Sequence, residues 1–217
     1  MTLSTSGSYL RLVRMLPQTI GGLIICGVGV FMALHSGLGV SPWDVLHVGL
    51  GHHLHVATGT AMIGTGIVVL FLGLLLGVKP GLGTVCDILI VGNVVNVLYA
   101  YDPIVNATKW HFIIRLAFFS AGTILTGLGI AIYIGAHVGA GPRDGLMIAF
   151  HKKLGWPVWK SRIAVESIGL LGGILLGGPV GIGTLIWTVL LGWSAGRWFR
   201  VLHLTPFVIV EGTQVID

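Results

Sequence analysis

Two aspartates stand 100 positions apart, each two residues past a proline: Pro42-Trp43-Asp44 and Pro142-Arg143-Asp144. Both runs read as helix starts. Ser41 suits the cap and Pro42 the first helical position, and Asp44, three residues after the cap, makes an acidic variant of the capping box. Gly141 and Pro142 start a second helix in the same way with a weaker cap. The two carboxylates can satisfy free backbone N–H groups and the positive end of the helix dipole. They are also candidates for holding a solute or a proton, since an ionisable side chain in so apolar a chain is costly to keep. Arg143 occupies the position of Trp43 and so breaks the likeness of the two runs. It can pair with Asp144, Asp44 or a substrate anion, or snorkel to the nearest surface.

Other ionisable groups in apolar surroundings are few. Glu166 lies one turn beyond Arg162, a spacing at which the two neutralise each other on a helix, and it is a candidate for lining a polar path. Its counterpart 100 residues earlier is Gly66, so it has no twin. Asp87 follows Thr84 by three residues and is expected to close a capping box near a surface. Asn93 and Asn96 can bond between helices or line the same path. His47, His52, His53 and His55 suggest a metal at first sight. Adjacent histidines diverge on a helix, however, and no cysteine or acidic partner has matching spacing, so an interfacial patch with no metal is expected. Cys26 and Cys86 read as buried thiols. No catalytic motif for nucleotide, hydrolase or metalloprotease chemistry is present, so no enzyme activity, catalytic residue or cofactor is expected.

These side chains need elements to carry them, and composition says which. Mean hydropathy is +0.96 and 9% of residues are charged. No Asp, Glu, Lys or Arg occurs in 15–43, 45–78, 116–142 or 167–196. A run of about 20 apolar residues crosses a bilayer core. The chain is therefore expected to be an all-α polytopic membrane protein with the lipid bilayer as its partner. The 35 glycines fit close helix packing in lipid. The net charge of +5 reflects cations at helix ends and does not suggest nucleic acid.

The 100-residue spacing extends beyond the aspartates. Residues 39–84 recur loosely without a gap, and Gly81-Leu82-Gly83-Thr84 returns as Gly181-Ile182-Gly183-Thr184. Such self-similarity sets the architecture. It divides the chain into an N-terminal segment (1–16), a first repeat (17–100), a linker (101–109), a second repeat (110–203) and a C-terminal tail (204–217). Spans are expected over 17–36, 57–78, 82–100, 110–136, 158–178 and 182–202. Between the first and second of each half lie 42–54 and 142–154, helix-like but only about 20 Å long. If they enter and leave by one face, the halves are inverted, each with three spans and a re-entrant half-helix. If they cross, there are eight helices in parallel repeats. Lys and Arg counts are equal in the two schemes, with ten of twelve cytoplasmic and both termini inside. Length favours the inverted scheme. Gly73-x-x-x-Gly77, Gly173-x-x-x-Gly177 and Gly192-x-x-x-Gly196 suit packing within the bundle or a homodimer.

The Gly-x-Gly-Val-Ser-Pro-Trp-Asp-Val-Leu-His run at 37–47, its echo over Gly139–Leu146 and the paired Gly-x-Gly-Thr turns resemble the YczE/YyaS/YitT-type bacterial integral membrane proteins. The resemblance covers about 17–202. It implies a multi-pass protein of the bacterial inner membrane, in a family some of whose members are linked with secondary-metabolite production. It supplies no catalytic residues.

Two functions follow as expectations. One is a transporter or channel-like protein for an unknown small solute, with Asp44, Asp144, Arg143, Glu166 and Trp43 at a site between the halves. Ser41, Pro42, Pro142, Gly83, Thr84, Gly183 and Thr184 would then set the helix starts and turns. The other is a membrane scaffold or regulatory partner of a cytoplasmic enzyme.

Overall fold

The computed structural model describes residues 5–104, 107–139, 141–204, 209–210 and 213–214, with side chains from Arg14 to Leu204 within those bounds. The described residues form eight α-helices: α1 (Thr5–Ser36), α2 (Pro42–Leu54), α3 (Thr58–Leu75), α4 (Leu82–Tyr101), α5 (Phe112–Ile134), α6 (Pro142–Leu154), α7 (Val158–Leu175) and α8 (Ile182–Val201). A short 3-10 turn, Ala107–Lys109, precedes α5. In the expected tail, Ile209–Val210 pairs antiparallel with Thr213–Gln214; residues 1–4, 205–208, 211–212 and 215–217 of the expected terminal segments lie outside the described residues.

Helices α3 and α7 end as their glycines dictate. Gly77 (φ +84°) and Gly177 (φ +68°) take left-handed backbone. The N–H of Val78 then bonds the Gly73 carbonyl, and that of Gly178 the Gly173 carbonyl, closing each helix at Leu75 or Leu175. The helices therefore stop three residues short of the expected 78 and 178. At the other extreme, α1 begins at Thr5, well ahead of 17.

Close contacts fix how the helices run. Gly22 faces Tyr133 and Gly129, while Gly29 faces Gly122 and Thr126, so α1 and α5 are antiparallel. Gly27 lies on Val94 and Phe31 on Tyr99, so α1 and α4 are parallel. Phe119 meets Trp187 and Gly127 meets Ser194, so α5 and α8 are parallel. Gly59 sits on Gly92 and Gly66 on Ile88, which sets α3 antiparallel to α4. These approaches leave no room for a Cβ, which is why small residues fill them. Gly173 likewise abuts Val45 and Leu46 of α2, and so packs within the bundle. Gly192 and Gly196 meet nothing within 4 Å.

The short helices return to the end they came from. The end of α1 lies beside the end of α4, where His35 stands 3.5 Å from Asp102. Because α3 starts at that end and α2 stops four residues before it, α2 finishes there too. Its start lies deeper: Ser41 and Asp44 face Cys26 and Val30 of α1 and Thr126 and Ile130 of α5. Residues 37–41 make the descent. Gly39 (φ +111°) packs on Gly181, and the Leu38 carbonyl accepts from the Gly183 N–H at 2.8 Å. At the other end Gly139 (φ +142°) packs on Gly81, and the Val138 carbonyl accepts from the Gly83 N–H at 3.1 Å. Thr84 and Thr184 each accept the N–H of the glycine three residues before them, at 3.2 and 3.3 Å. Each Gly-x-Gly-Thr turn is thus a helix start that also holds the chain leading into another helix, α6 for the turn at 81–84 and α2 for the turn at 181–184.

Arg115 closes the end of α1. Its Nε donates to the Ser36 carbonyl at 2.8 Å and its Nη2 to the Gly37 carbonyl at 2.7 Å. Cations stabilise carbonyls left bare at a helix end. Replacing Arg115 with glutamine should lower stability by about 1–3 kcal/mol, read as a fall in melting temperature in detergent.

Among the described residues four helical stretches are long and apolar enough to cross a membrane: Arg14–Ser36, Thr58–Leu75, Leu82–Tyr101 and Phe112–Ile134. Of the six expected spans, α7 and α8 are helices but fall outside this set. Lys160, Arg162 and Glu166 on α7 and Arg197 and Arg200 on α8 interrupt their apolar character.

Candidate functional site

The starts of α2 and α6 face each other across a cavity of about 170 Å³. Its polar lining includes Asp44, Asp87, Arg143, Asp144, Arg162 and Glu166. A side chamber of about 50 Å³ shares Asp44, Asp87 and Arg143 with it and adds Trp43, His47 and Thr65. The structure therefore gathers all five residues singled out for a solute site, Asp44, Asp144, Arg143, Glu166 and Trp43, around connected spaces.

Asp44 is held locally. Its N–H donates to Ser41 Oγ at 3.1 Å, and Ser41 Oγ–H donates to Asp44 Oδ2 at 2.5 Å. His47 Nδ1 lies 3.0 Å from Asp44 Oδ1, with both side chains buried. The Ser41 cap read from the sequence is present, but the box is not closed: the Asp44 carboxylate bonds Ser41 Oγ and His47 and not the Ser41 N–H. His47 does not belong to an interfacial histidine patch: one turn after Asp44 on a buried face, it points inward, whereas His52, His53 and His55 are exposed at the helix end.

Trp43 and Arg143 meet. The Arg143 guanidinium carbon lies 5.3 Å from the centre of the Trp43 ring, within cation–π range. Two starts facing each other bring equivalent positions together, so the break in the sequence pattern becomes a contact. Trp43 also packs against Gly169 of α7, where an added Cβ would lie 3.0 Å from the ring. Pro142 is buried beside Arg143 and lines both spaces.

Two expectations need correcting. Asp87 does not cap its helix near a surface: Thr84 already satisfies the Gly81 N–H, and Asp87, one turn further along α4, faces the cavity. Arg162 and Glu166 form no ion pair shorter than 4 Å; both turn towards the cavity, Arg162 at its exposed side. The carboxylates of Asp87, Asp144 and Glu166 have no cation within 4 Å among the described residues. Four carboxylates and two guanidiniums thus line one space, with the carboxylates in excess. Tyr133 also lines it and had drawn no notice in the sequence, because an aromatic in an apolar helix gives no sign of which way its hydroxyl faces. Of the two asparagines, Asn96 Nδ2 donates across to Thr60 Oγ1 at 3.0 Å, tying α4 to α3, while Asn93 bonds its own helix at the Leu89 carbonyl. Cys26 and Cys86 are free thiols, and among the described residues no group of three His, Cys, Asp or Glu side chains is arranged to hold a metal ion.

The chain has relatives. An uncharacterised membrane protein of Bacillus subtilis, YczE, is 33% identical over 173 residues, 79% of each chain. An uncharacterised protein of Haemophilus influenzae is 29% identical over 189 residues, covering 87% of this chain and 85% of its own. A second Bacillus subtilis protein, the uncharacterised YyaS, is 29% identical over 182 residues, 79% of this chain and 85% of its own. No solved structure matches. Its apolar helices and the membrane relative YczE together make this an integral membrane protein. The model of a family of unknown function, DUF6198, matches residues 13–200, and the chain belongs to that family.

Proposed function

We propose that the protein is a multi-pass protein of the bacterial inner membrane that moves a small solute through a site between two inverted halves. The observation that carries this is the charged cavity enclosed by the starts of two half-helices. Transporter sites are commonly built where discontinuous helices meet near the midplane, at the interface of two repeats.

Further geometry supports the inverted scheme. Helices α2, α3 and α4 have 13, 18 and 20 residues, as do α6, α7 and α8. In this scheme α1 and α5 are equivalents, and they run antiparallel. Three helices of each half cross, the short one re-enters, and both termini are cytoplasmic. Helices α7 and α8 cross in spite of their charges, because Arg162 and Glu166 face the cavity and Arg197 and Arg200 lie near the end of α8. Arg115, one of two cations on the outer side, is retained there as the cap of α1.

Proteoliposome uptake over a broad solute panel tests the proposal. Asp44→Asn with Asp144→Asn should cut flux about tenfold or more, as expected when charge-assisted bonds are lost. Equal flux would remove these aspartates from the mechanism. The scaffold alternative draws support from the local bonding of Asp44, and no flux of any solute through the native protein would favour it.

A further inference from the structure

The cavity has two chemically distinct ends. At one, three oxygens from three helices ring a single point: a carbon added to Gly141 would lie 2.9 Å from Asp87 Oδ2, 3.3 Å from Tyr133 Oη and 3.6 Å from Asp144 Oδ2. No cation lies within 4 Å of either carboxylate among the described residues. Tyr133 is 6% exposed, and its hydroxyl opens onto this point in the cavity lining. A hydroxyl placed so can accept from or donate to a solute there. On the other side Arg143 lines both the cavity and the side chamber, and in the side chamber Trp43 is 3% exposed with no partner for its Nε1–H. That N–H can only donate. The Arg143 guanidinium stacks over the same ring, so this end offers donors and positive charge.

We propose that the site takes a small solute with an ammonium group at one end and a carboxylate at the other. The ammonium lies among Asp87, Asp144 and Tyr133. The carboxylate lies at Arg143, beside the side chamber that Trp43 lines. The excess of carboxylates in the lining makes the ammonium the stronger determinant. A cavity of about 150 Å³ holds a molecule the size of benzene, so a space of this size suits about six to ten heavy atoms. The inference rests on the cavity being a solute site and does not depend on flux through it.

Binding to purified protein in nanodiscs is the test, with three probes of equal carbon length: 4-aminobutyrate, n-butylammonium and butyrate. Affinity should fall in that order, read by calorimetry or by a rise in melting temperature. Asp87→Asn should weaken both ammonium probes about ten- to hundredfold, the range for a bond to a charged group. Tyr133→Phe, which removes one oxygen and keeps the ring, should weaken them less and serves if Asp87→Asn fails to fold. Arg143→Gln should narrow the difference between 4-aminobutyrate and n-butylammonium. Butyrate binding as well as either amine overturns the proposal, as does failure of both amines to bind. The two ideas fail separately. Amine binding without flux would sink transport alone, and flux of a neutral solute without amine binding would sink only this assignment.

Discussion

Arg143→Gln should reduce solute flux by about a hundredfold, with the protein still extracted as a monodisperse species. Glutamine keeps most of the volume and removes the charge. Four carboxylates would then face a single guanidinium, and that one, Arg162, sits at the exposed side of the cavity. Position decides the size of the effect. Arg143 is half-buried and stacked on a buried indole, so its charge is only partly screened. Truncating one member of a desolvated charged set costs about 2–5 kcal/mol, and a hundredfold corresponds to about 2.7 kcal/mol. Arg162→Gln removes the same formal charge where solvent screens it, and exposed pairs contribute about 0.2–1 kcal/mol. Its flux should fall by less than about fivefold. Proteoliposome flux of both variants, normalised to protein incorporated, checks the contrast; equal losses would place the important charge elsewhere. Arg143→Lys should fall between them, because an ammonium keeps the charge and loses the flat face that stacks on Trp43.

Gly39→Ala and Gly139→Ala should each lower stability by about 2–6 kcal/mol, and together they should prevent the protein from accumulating folded. Two costs add at each position. The backbone angles of +111° and +142° are regions that residues with a Cβ rarely adopt, a strain of about 1–3 kcal/mol. The new methyl also collides with backbone that cannot turn aside. At 39 it would lie 2.8 Å from Gly181 N, and at 139 it would lie 2.9 Å from Gly81 Cα. Overpacking of this kind costs about 1–3 kcal/mol more. Against a typical total stability of about 5–15 kcal/mol, two such losses are not survivable. Gly192→Ala and Gly196→Ala are the controls. Both sit within α8 with nothing within 4 Å, and alanine there should be neutral or gain up to about 1 kcal/mol. Melting temperature and yield of detergent-stable protein report all four.

What could be seen in advance follows from chemistry. Pro42 and Pro142, with their aspartates, announced the short helices to the residue, because proline at a first helical position and a capping side chain are local signals. The meeting of Trp43 with Arg143 was implicit in the 100-residue spacing, though it took a three-dimensional arrangement to turn equivalence into contact. Asp87, Tyr133 and Arg162 were missed or misread for a different reason. Their helices are apolar on nearly every face, with glycines marking contacts on several sides, so hydropathy does not say which side looks inward. His47 was grouped with His52, His53 and His55 by proximity in the chain, although one turn of helix separates a buried face from an exposed end. The ends of α3 and α7 were placed too late because apolar residues continue past Gly77 and Gly177, where the backbone has already turned left-handed.

The bonds from Gly183 to the Leu38 carbonyl and from Gly83 to the Val138 carbonyl bear on how the protein is made. During synthesis the first descending segment leaves the ribosome about 140 residues before the glycine turn that receives it. Until that turn arrives, Leu38 to Pro42 has no seat, and its unpaired backbone sits poorly in lipid. The reverse pairing has no such delay, because Gly83 is already in place when Val138 emerges. Assembly is therefore ordered in time although the finished contacts are alike, and a chain halted short of residue 181 leaves its first dip exposed to whatever membrane quality control inspects.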